Sequence, residues 1–219
     1  MTDPSFVLGV DLDGVCGDHT AAFRAVVAAE RGVDPATLGP QVSWNFHEWG
    51  LDDDSFLAIH RRGVLDHHMF RHMPAIDGVA EALWRLSDAG VWIRLITHRL
   101  YANWGHATAV ADTVSWLDEH RIPYRDLCFL GQKPHVEADA YVDDAPHNVE
   151  ALRATGSPVV VFDQPYNRDL GGLRAHTWTD VEHHIRALMA ASGHPVQERL
   201  SGFEPAPATR LPHDDPAAP

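Results

Sequence analysis

Residues 6–15 read FVLGVDLDGV. The run from Phe6 to Leu12 is apolar except for Asp11, and Asp13 and Gly14 follow it at once. A short apolar run bounded by turn residues is the pattern of a strand buried on both faces, as in a parallel sheet, that leads into a loop. Asp11 and Asp13 are therefore expected where that strand ends, and the rest of the chain can be read outward from them.

Downstream, Val91–Ile96 (VWIRLI) predicts a second strand, Leu127–Leu130 a third, Ala140–Val142 a fourth that runs into Asp143-Asp144, and Pro158–Phe162 (PVVVF) a fifth. Helical patterns lie between and after them, at Val79–Ala89, His106–His120, Pro146–Thr155 and Thr179–Ala191. Pro146 suits a first helical turn, where its missing N–H costs nothing. Strands alternating with helices mean βαβ units, and so a three-layer α/β fold with a parallel sheet between helices. Ligands of such sheets bind at the carboxyl ends of the strands.

The stretch 18–73 breaks this alternation. It predicts helices over Thr20–Arg31, stopped by Gly32, and over Asp52–Arg62, with a turn-rich segment carrying Trp44, Phe46 and Trp49 between them. The expected organisation is a core from 1–17 and 74–200, a helical insertion at 18–73, and a tail at 201–219. That tail is rich in Pro, Ala and Asp, with too little apolar surface to fold.

Composition narrows the class. Of 219 residues, 45% are hydrophobic and 22% charged, as in a soluble globular protein. The net charge of −14 argues against nucleic-acid polymers and anionic membranes as partners. It leaves room for a small anionic substrate where a metal ion reverses the local field. Cys16 and Cys128 are too few and too far apart for a zinc or redox motif, and they suit a reducing cytoplasm. The N-terminus has no basic leader followed by an apolar core, and no apolar run reaches the ~18 residues of a membrane span, so neither a signal peptide nor a span is expected. Among sixteen histidines, the pairs His67-His68 and His183-His184 lie in no metal-ligand spacing and read as solvated or capping imidazoles.

Chemistry collects at the strand ends. Strand one ends in Asp11-Leu12-Asp13, strand two in Thr97-His98-Arg99, Lys133 follows strand three, and strand four ends in Asp143-Asp144. Singly these are bland, since a D-x-D-G after a strand is often a turn or a helix cap, and a lone Thr or Lys there often only caps or faces solvent. In a parallel sheet, however, the four ends share one edge. Together they offer the carboxylates, hydroxyl and ammonium that metal-assisted phosphoryl transfer requires.

This ordered set resembles the four motifs of the haloacid dehalogenase (HAD) superfamily, and the likeness runs to about Arg199. Met69–Ala82 (MFRHMPAIDGVAEA), the spacing from Lys133 to Asp143, and Val161–Asn167 (VFDQPYN) further resemble the 5′(3′)-deoxyribonucleotidase family, the cytosolic type C 5′-nucleotidases. The resemblance implies a HAD-like Rossmannoid core with a small helical cap inserted after strand one. It also implies a cytoplasmic, Mg²⁺-dependent phosphomonoesterase for (deoxy)nucleoside monophosphates.

On that reading Asp11 is the nucleophile that becomes a phospho-aspartate, and Asp13 is the general acid and base, a position where dehalogenases lack an acid. Mg²⁺ is held by Asp11, the backbone carbonyl of Asp13, and Asp144. Asp143 stands behind them near Lys133, and the roles of these two acids are exchangeable. Thr97 and Lys133 hold the phosphoryl oxygens, with help from the His98 N–H. His98 departs from the family, which carries a small hydroxyl residue there.

Caps of this superfamily select the leaving group, so Trp44, Phe46, Trp49 and Phe70 become candidates to face a nucleobase. The alternative is that these rings form the small core of the cap. Cys16 and Asp18 are further candidates to line the cleft, and Asp163 and Asn167 are assigned a structural or gating role. Two other readings compete: a phosphatase of sugar phosphates or other small phosphomonoesters, and a catalytically dead scaffold. A homodimer is compatible with the sequence.

Overall fold

The structure, a computed structural model, describes residues 6–100 and 105–194. Its centre is a sheet of six parallel strands: β1 (Val7–Val10), β2 (Trp92–Thr97), β3 (Asp126–Phe129), β4 (Ala140–Asp143), β5 (Val159–Phe162) and β6 (Arg174–Ala175). Their order is β3-β2-β1-β4-β5-β6. From β1 the chain builds outward through β2 and β3, then returns to the other side of β1 for β4. The order therefore reverses at β1, and a crevice opens beyond its carboxyl end.

Register fixes what meets there. Val10 lies beside Leu95 of β2 and Val142 of β4, and the Asp11 N–H continues the ladder to the Val142 carbonyl at 3.1 Å. The next residues on the three strands, Asp11, Ile96 and Asp143, are thus level. Leu8, Val10, Leu12 and Leu95 are fully buried, as a sheet covered on both faces requires.

Helix α4 (Val79–Asp88) precedes β2, α5 (His106–Glu119) precedes β3, α6 (Pro146–Ala154) joins β4 to β5, and α7 (Trp178–Ala191) follows β6. α7 starts on a capping box of Thr177 and Asp180 and buries Trp178, Val181, Ile185 and Met189 along one stripe. Trp178 also donates its indole N–H to the Val15 carbonyl at 2.9 Å, which ties this helix to the loop after β1.

Between β1 and α4 lie α1 (His19–Arg31), α2 (Asp53–Leu65) and the one-turn α3 (Met69–His72). The Asp18 carboxylate caps α1, and Gly32 closes it in the left-handed conformation. α2 begins on an Asp52–Ser55 capping box. The apolar residues of this insertion belong to the same buried cluster as those of the sheet.

The parallel α/β architecture expected from the sequence is what the chain forms. β2 runs one residue further than expected, so that Thr97 is its last residue. α3 and β6 had no sequence counterpart, because elements of four and two residues are too short to show a period. The expected tail at 201–219 and core residues 195–200 lie outside the described residues.

Candidate active site

The ends of β1 and β4, neighbours at the reversal point, bring Asp11, Asp143 and Asp144 together, each offering an oxygen within 4.8 Å of the others. The Lys133 ammonium sits among them, 2.6 Å from Asp11 Oδ1 and 2.5 Å from Asp143 Oδ2. Its side chain is 2% exposed. Burial favours the neutral amine, but the two carboxylates outweigh it and raise the lysine above its ordinary range. Burial also pushes Asp11 up to about 7, with Asp143 and Asp13 adding to the rise and Lys133 opposing it. Asp144 is raised well above the ordinary carboxylate range by burial and by its acidic neighbours Asp11 and Asp143. Three carboxylates against one ammonium leave two negative charges when all are ionised.

The two adjacent acids are not equivalent. Asp143 has both oxygens engaged: Oδ2 with Lys133, Oδ1 with the Ala145 N–H at 3.0 Å and Asn148 Nδ2 at 3.3 Å. Asp144 accepts from the Tyr166 hydroxyl on Oδ2 alone. Its Oδ1 is buried with no hydrogen-bond partner, and the Thr97 hydroxyl shares that condition among the described residues. Buried polar atoms are nearly always paired, so two orphans at one edge suggest groups that bind there. A divalent cation fits the residues present, by charge and by the all-oxygen donor set.

Gly14 completes the floor of the crevice. Its φ is +81°, and a Cβ there would stand 2.2 Å from Asp144 Oδ2. Only glycine lets the turn after β1 approach this closely.

Asp13 lies to one side, in the fork of a guanidinium. Arg99 Nε donates to Oδ2 at 3.0 Å and Nη2 to Oδ1 at 2.8 Å. Arg99 is itself fixed: Nη1 donates to Thr113 Oγ1 at 2.9 Å, and the guanidinium lies 4.2 Å above the Phe70 ring. Burial would raise the Asp13 carboxyl, but Arg99 overrides it and holds it at about 2.

Next to it, the ring nitrogens of His19 and His60 meet at 3.2 Å, inside a ring of Phe23, Phe46, Phe56 and Phe70. Burial lowers both imidazoles, and His60 falls to about 3. His98 is lowered too, by burial and then by His147 and Lys133. Its Nε2 stands where a side chain on Gly131 would reach, beside the turn that leads to Lys133.

The insertion aromatics divide. Phe46 and Trp49 are 2% and 4% exposed and pack on each other and on Phe23 inside the insertion, with the Trp49 indole N–H on the Gly39 carbonyl. Phe70 is equally buried beneath Arg99. Trp44 alone of the four is exposed, at 43%, and it meets Tyr166 and His147 edge to face. Cys16 is buried with its thiol donated to the Asp11 carbonyl, and Asp18 is spent on capping α1. Asp163 pairs with Arg174 at 2.6 Å. Asn167 donates to the carbonyls of Asp144 and Phe162, both at 2.8 Å.

Sequence reasoning passed over Arg99, Tyr166, His19 and His60. The first two stand inside quoted motifs, Thr97-His98-Arg99 and VFDQPYN, but nothing in one dimension names their partners.

Residues 5–191 match the model of the family described as 5′ nucleotidase, deoxy (pyrimidine), cytosolic type C protein. The chain belongs to this family of phosphoric monoester hydrolases. It is 44% identical over 192 residues to a protein of Chlorobaculum tepidum named "Putative 5′(3′)-deoxyribonucleotidase", an alignment covering 86% of this chain and 94% of that one. It is 24% identical over 183 residues to the 5′(3′)-deoxyribonucleotidase of Bacillus subtilis, covering 80% and 96%. Among solved structures it resembles a haloacid dehalogenase-like hydrolase of Streptococcus pneumoniae, with a TM-score of 0.57, 15% identity, and coverage of 84% and 100%. A predicted phosphatase of Clostridium acetobutylicum gives 0.56 at 12% identity, covering 84% and 99%. These likenesses show the fold, a HAD-like one. Among the described residues no helix is long and apolar enough to cross a membrane.

Proposed function

We propose that this chain is a Mg²⁺-dependent phosphatase of (deoxy)nucleoside monophosphates that works through a phospho-aspartate on Asp11. The observation that carries the reading is the pair of orphaned buried oxygens, Thr97 Oγ1 and Asp144 Oδ1, at the strand edge that holds Asp11 and Lys133. The names of the relatives supply the nucleotide.

Asp11, the Asp13 carbonyl and Asp144 would hold Mg²⁺, whose positive charge offsets that of the phosphoryl oxygens and of the acids. Asp143, with both its oxygens engaged, orients Lys133. Lys133 occupies Asp11 Oδ1, which leaves Oδ2 to attack phosphorus. The phosphoryl group moves to Asp11 as an acyl phosphate while the leaving oxygen takes a proton from Asp13. Asp13 then removes a proton from water as that water attacks the acyl phosphate, so Asp11 is restored and phosphate leaves. Thr97 and Lys133 donate to the phosphoryl oxygens throughout.

Asp13 rests ionised in the Arg99 fork, so substrate must draw it out of that fork before it can carry a proton. The leaving nucleoside would lie on the Asp13 side, toward His19 and His60 of the helical cap. Two free thiols suit a cytoplasmic setting. The test is phosphate release with Mg²⁺ across nucleoside 5′- and 3′-monophosphates and sugar phosphates. Release from nucleotides, abolished by Asp11→Asn, is expected; release from sugar phosphates alone would overturn the substrate assignment.

A further inference from the structure

Trp44 is a large aromatic side chain left 43% exposed on a turn that is braced as though its position mattered. The Glu48 carboxylate accepts from the Val42 N–H at 2.5 Å and from the Ser43 hydroxyl at 2.5 Å, and Ser43 Oγ accepts from the His47 N–H at 2.9 Å. Gln41 Nε2 reaches the Ser43 carbonyl at 3.1 Å. Two residues on, Phe46 takes a left-handed φ of 56° and buries its ring inside the insertion. These bonds brace the turn, and from it Trp44 reaches Tyr166 and His147 of the core. There the indole meets Tyr166 at 5.1 Å and His147 at 5.4 Å, both edge to face.

Tyr166 is the other half of the device. It stands in the loop after β5, which grips the acid cluster at several points. Gln164 Nε2 donates to the Gly14 carbonyl at 2.7 Å, Asn167 Nδ2 to the Asp144 carbonyl, and the Tyr166 hydroxyl to Asp144 Oδ2. That last bond sets the rotation of the Asp144 carboxylate. With Oδ2 engaged, Oδ1 is the oxygen of this carboxylate left buried and without a partner.

We infer that Tyr166 is a positioning residue that presents Asp144 Oδ1 to the cation, and that Trp44 couples the seating of the helical insertion to this presentation. The inference rests on the reading of Asp144 as a cation ligand, but not on which phosphomonoester is cleaved. Groups that hydrogen-bond a metal ligand restrict its rotation before the ion arrives, and losing one typically weakens affinity about 10- to 100-fold. Trp44 contacts Tyr166 and not Asp144, so its own effect must pass through Tyr166. By linkage, whatever makes Trp44 favour its seat must also favour the cation, to the same factor.

The experiment is calorimetric titration of Mg²⁺ into the full-length, EDTA-treated protein, with no substrate present. Tyr166→Phe keeps the ring and removes only the hydroxyl. It is expected to weaken Mg²⁺ about tenfold with an unchanged circular dichroism spectrum. Trp44→Ala, at an exposed site, is expected to weaken it about threefold, and the double variant to match Tyr166→Phe because both act through one contact. Wild-type affinity in Tyr166→Phe, or no binding by the wild type, overturns the positioning role. Effects that add in the double variant overturn the coupling to Trp44. If the wild type binds Mg²⁺ but hydrolyses no nucleotide, the functional reading fails while this inference stands.

Discussion

The hydroxyl of Thr97 is buried at the end of β2 and meets no partner. Folding gains nothing from it and bears its desolvation, so Thr97→Val should leave the melting temperature unchanged or raise it. Turnover should fall by roughly 100-fold, about 3 kcal/mol, if the hydroxyl donates to the phosphoryl group as we propose. Parallel melting curves and kcat measurements check both halves, and a variant that melts lower with full activity would make Thr97 a folding residue instead. Asp13 is the opposite case. Its carboxyl is held at about 2 against an ordinary 3.8, so the folded state binds its proton less tightly than the unfolded chain does. The resulting stability is present above about 4 and disappears as pH falls through about 2. Its size is roughly 2 kcal/mol at 1.36 kcal/mol per pKa unit. Asp13→Asn should therefore unfold at lower urea than the wild type at pH 7, and the gap should close as the pH is taken from 4 toward 2. A gap that persists at pH 2 would mean that packing, not charge, is what the substitution disturbs.

At the scale of elements, the loop after β5 carries more than its turn-rich sequence suggested. Asn167 is 1% exposed and bonds the carbonyls of Asp144 and Phe162 through one amide, while its Oδ1 accepts from Arg174 at 2.9 Å. Asn167→Ala strands two buried carbonyls and should cost on the order of 2–4 kcal/mol, read as a lower urea midpoint. Unchanged stability would show that water replaces the amide. The strand ends were legible because buried parallel strands are short apolar runs, and polar residues that interrupt such runs at their carboxyl ends stand out. Arg99 was not legible as a partner of Asp13, because 86 positions separate them and only the fold closes that distance. Tyr166 was hidden in the same way, 22 positions from Asp144. The directions of the aromatics 44, 46 and 49 were hidden for a different reason. Rings that fill a small core and a ring that projects from it have identical composition, and only the left-handed turn at Phe46 separates their directions.

Across the whole molecule, of a net charge of −14, the buried part that matters most is the three acids at the ends of β1 and β4. Without a cation, the fold there works against itself. Asp11 is raised from 3.8 to about 7, first by burial and then by Asp143 and Asp13. A folded state that holds this proton more tightly than the unfolded chain is favoured at low pH. Stability is therefore lost as pH climbs from about 4 to about 7, and the loss is complete above that. Asp144, raised by the same causes, extends the effect in the same direction. A divalent cation needs the ionised carboxylates and binds only where they converge, so it stabilises the folded state by mass action. At pH 8 Asp11 is mostly ionised and can receive it, whereas at pH 5 a proton competes for the same oxygen. Added Mg²⁺ should thus raise the melting temperature of the EDTA-treated protein more at pH 8 than at pH 5. Asp144→Asn removes one acid, so at pH 8 this variant should melt higher than the wild type without metal and respond little to Mg²⁺. Scanning calorimetry at the two pH values decides the matter. Equal Mg²⁺ shifts at both, or an Asp144→Asn variant that responds like the wild type, would mean that the three acids do not form the cation site.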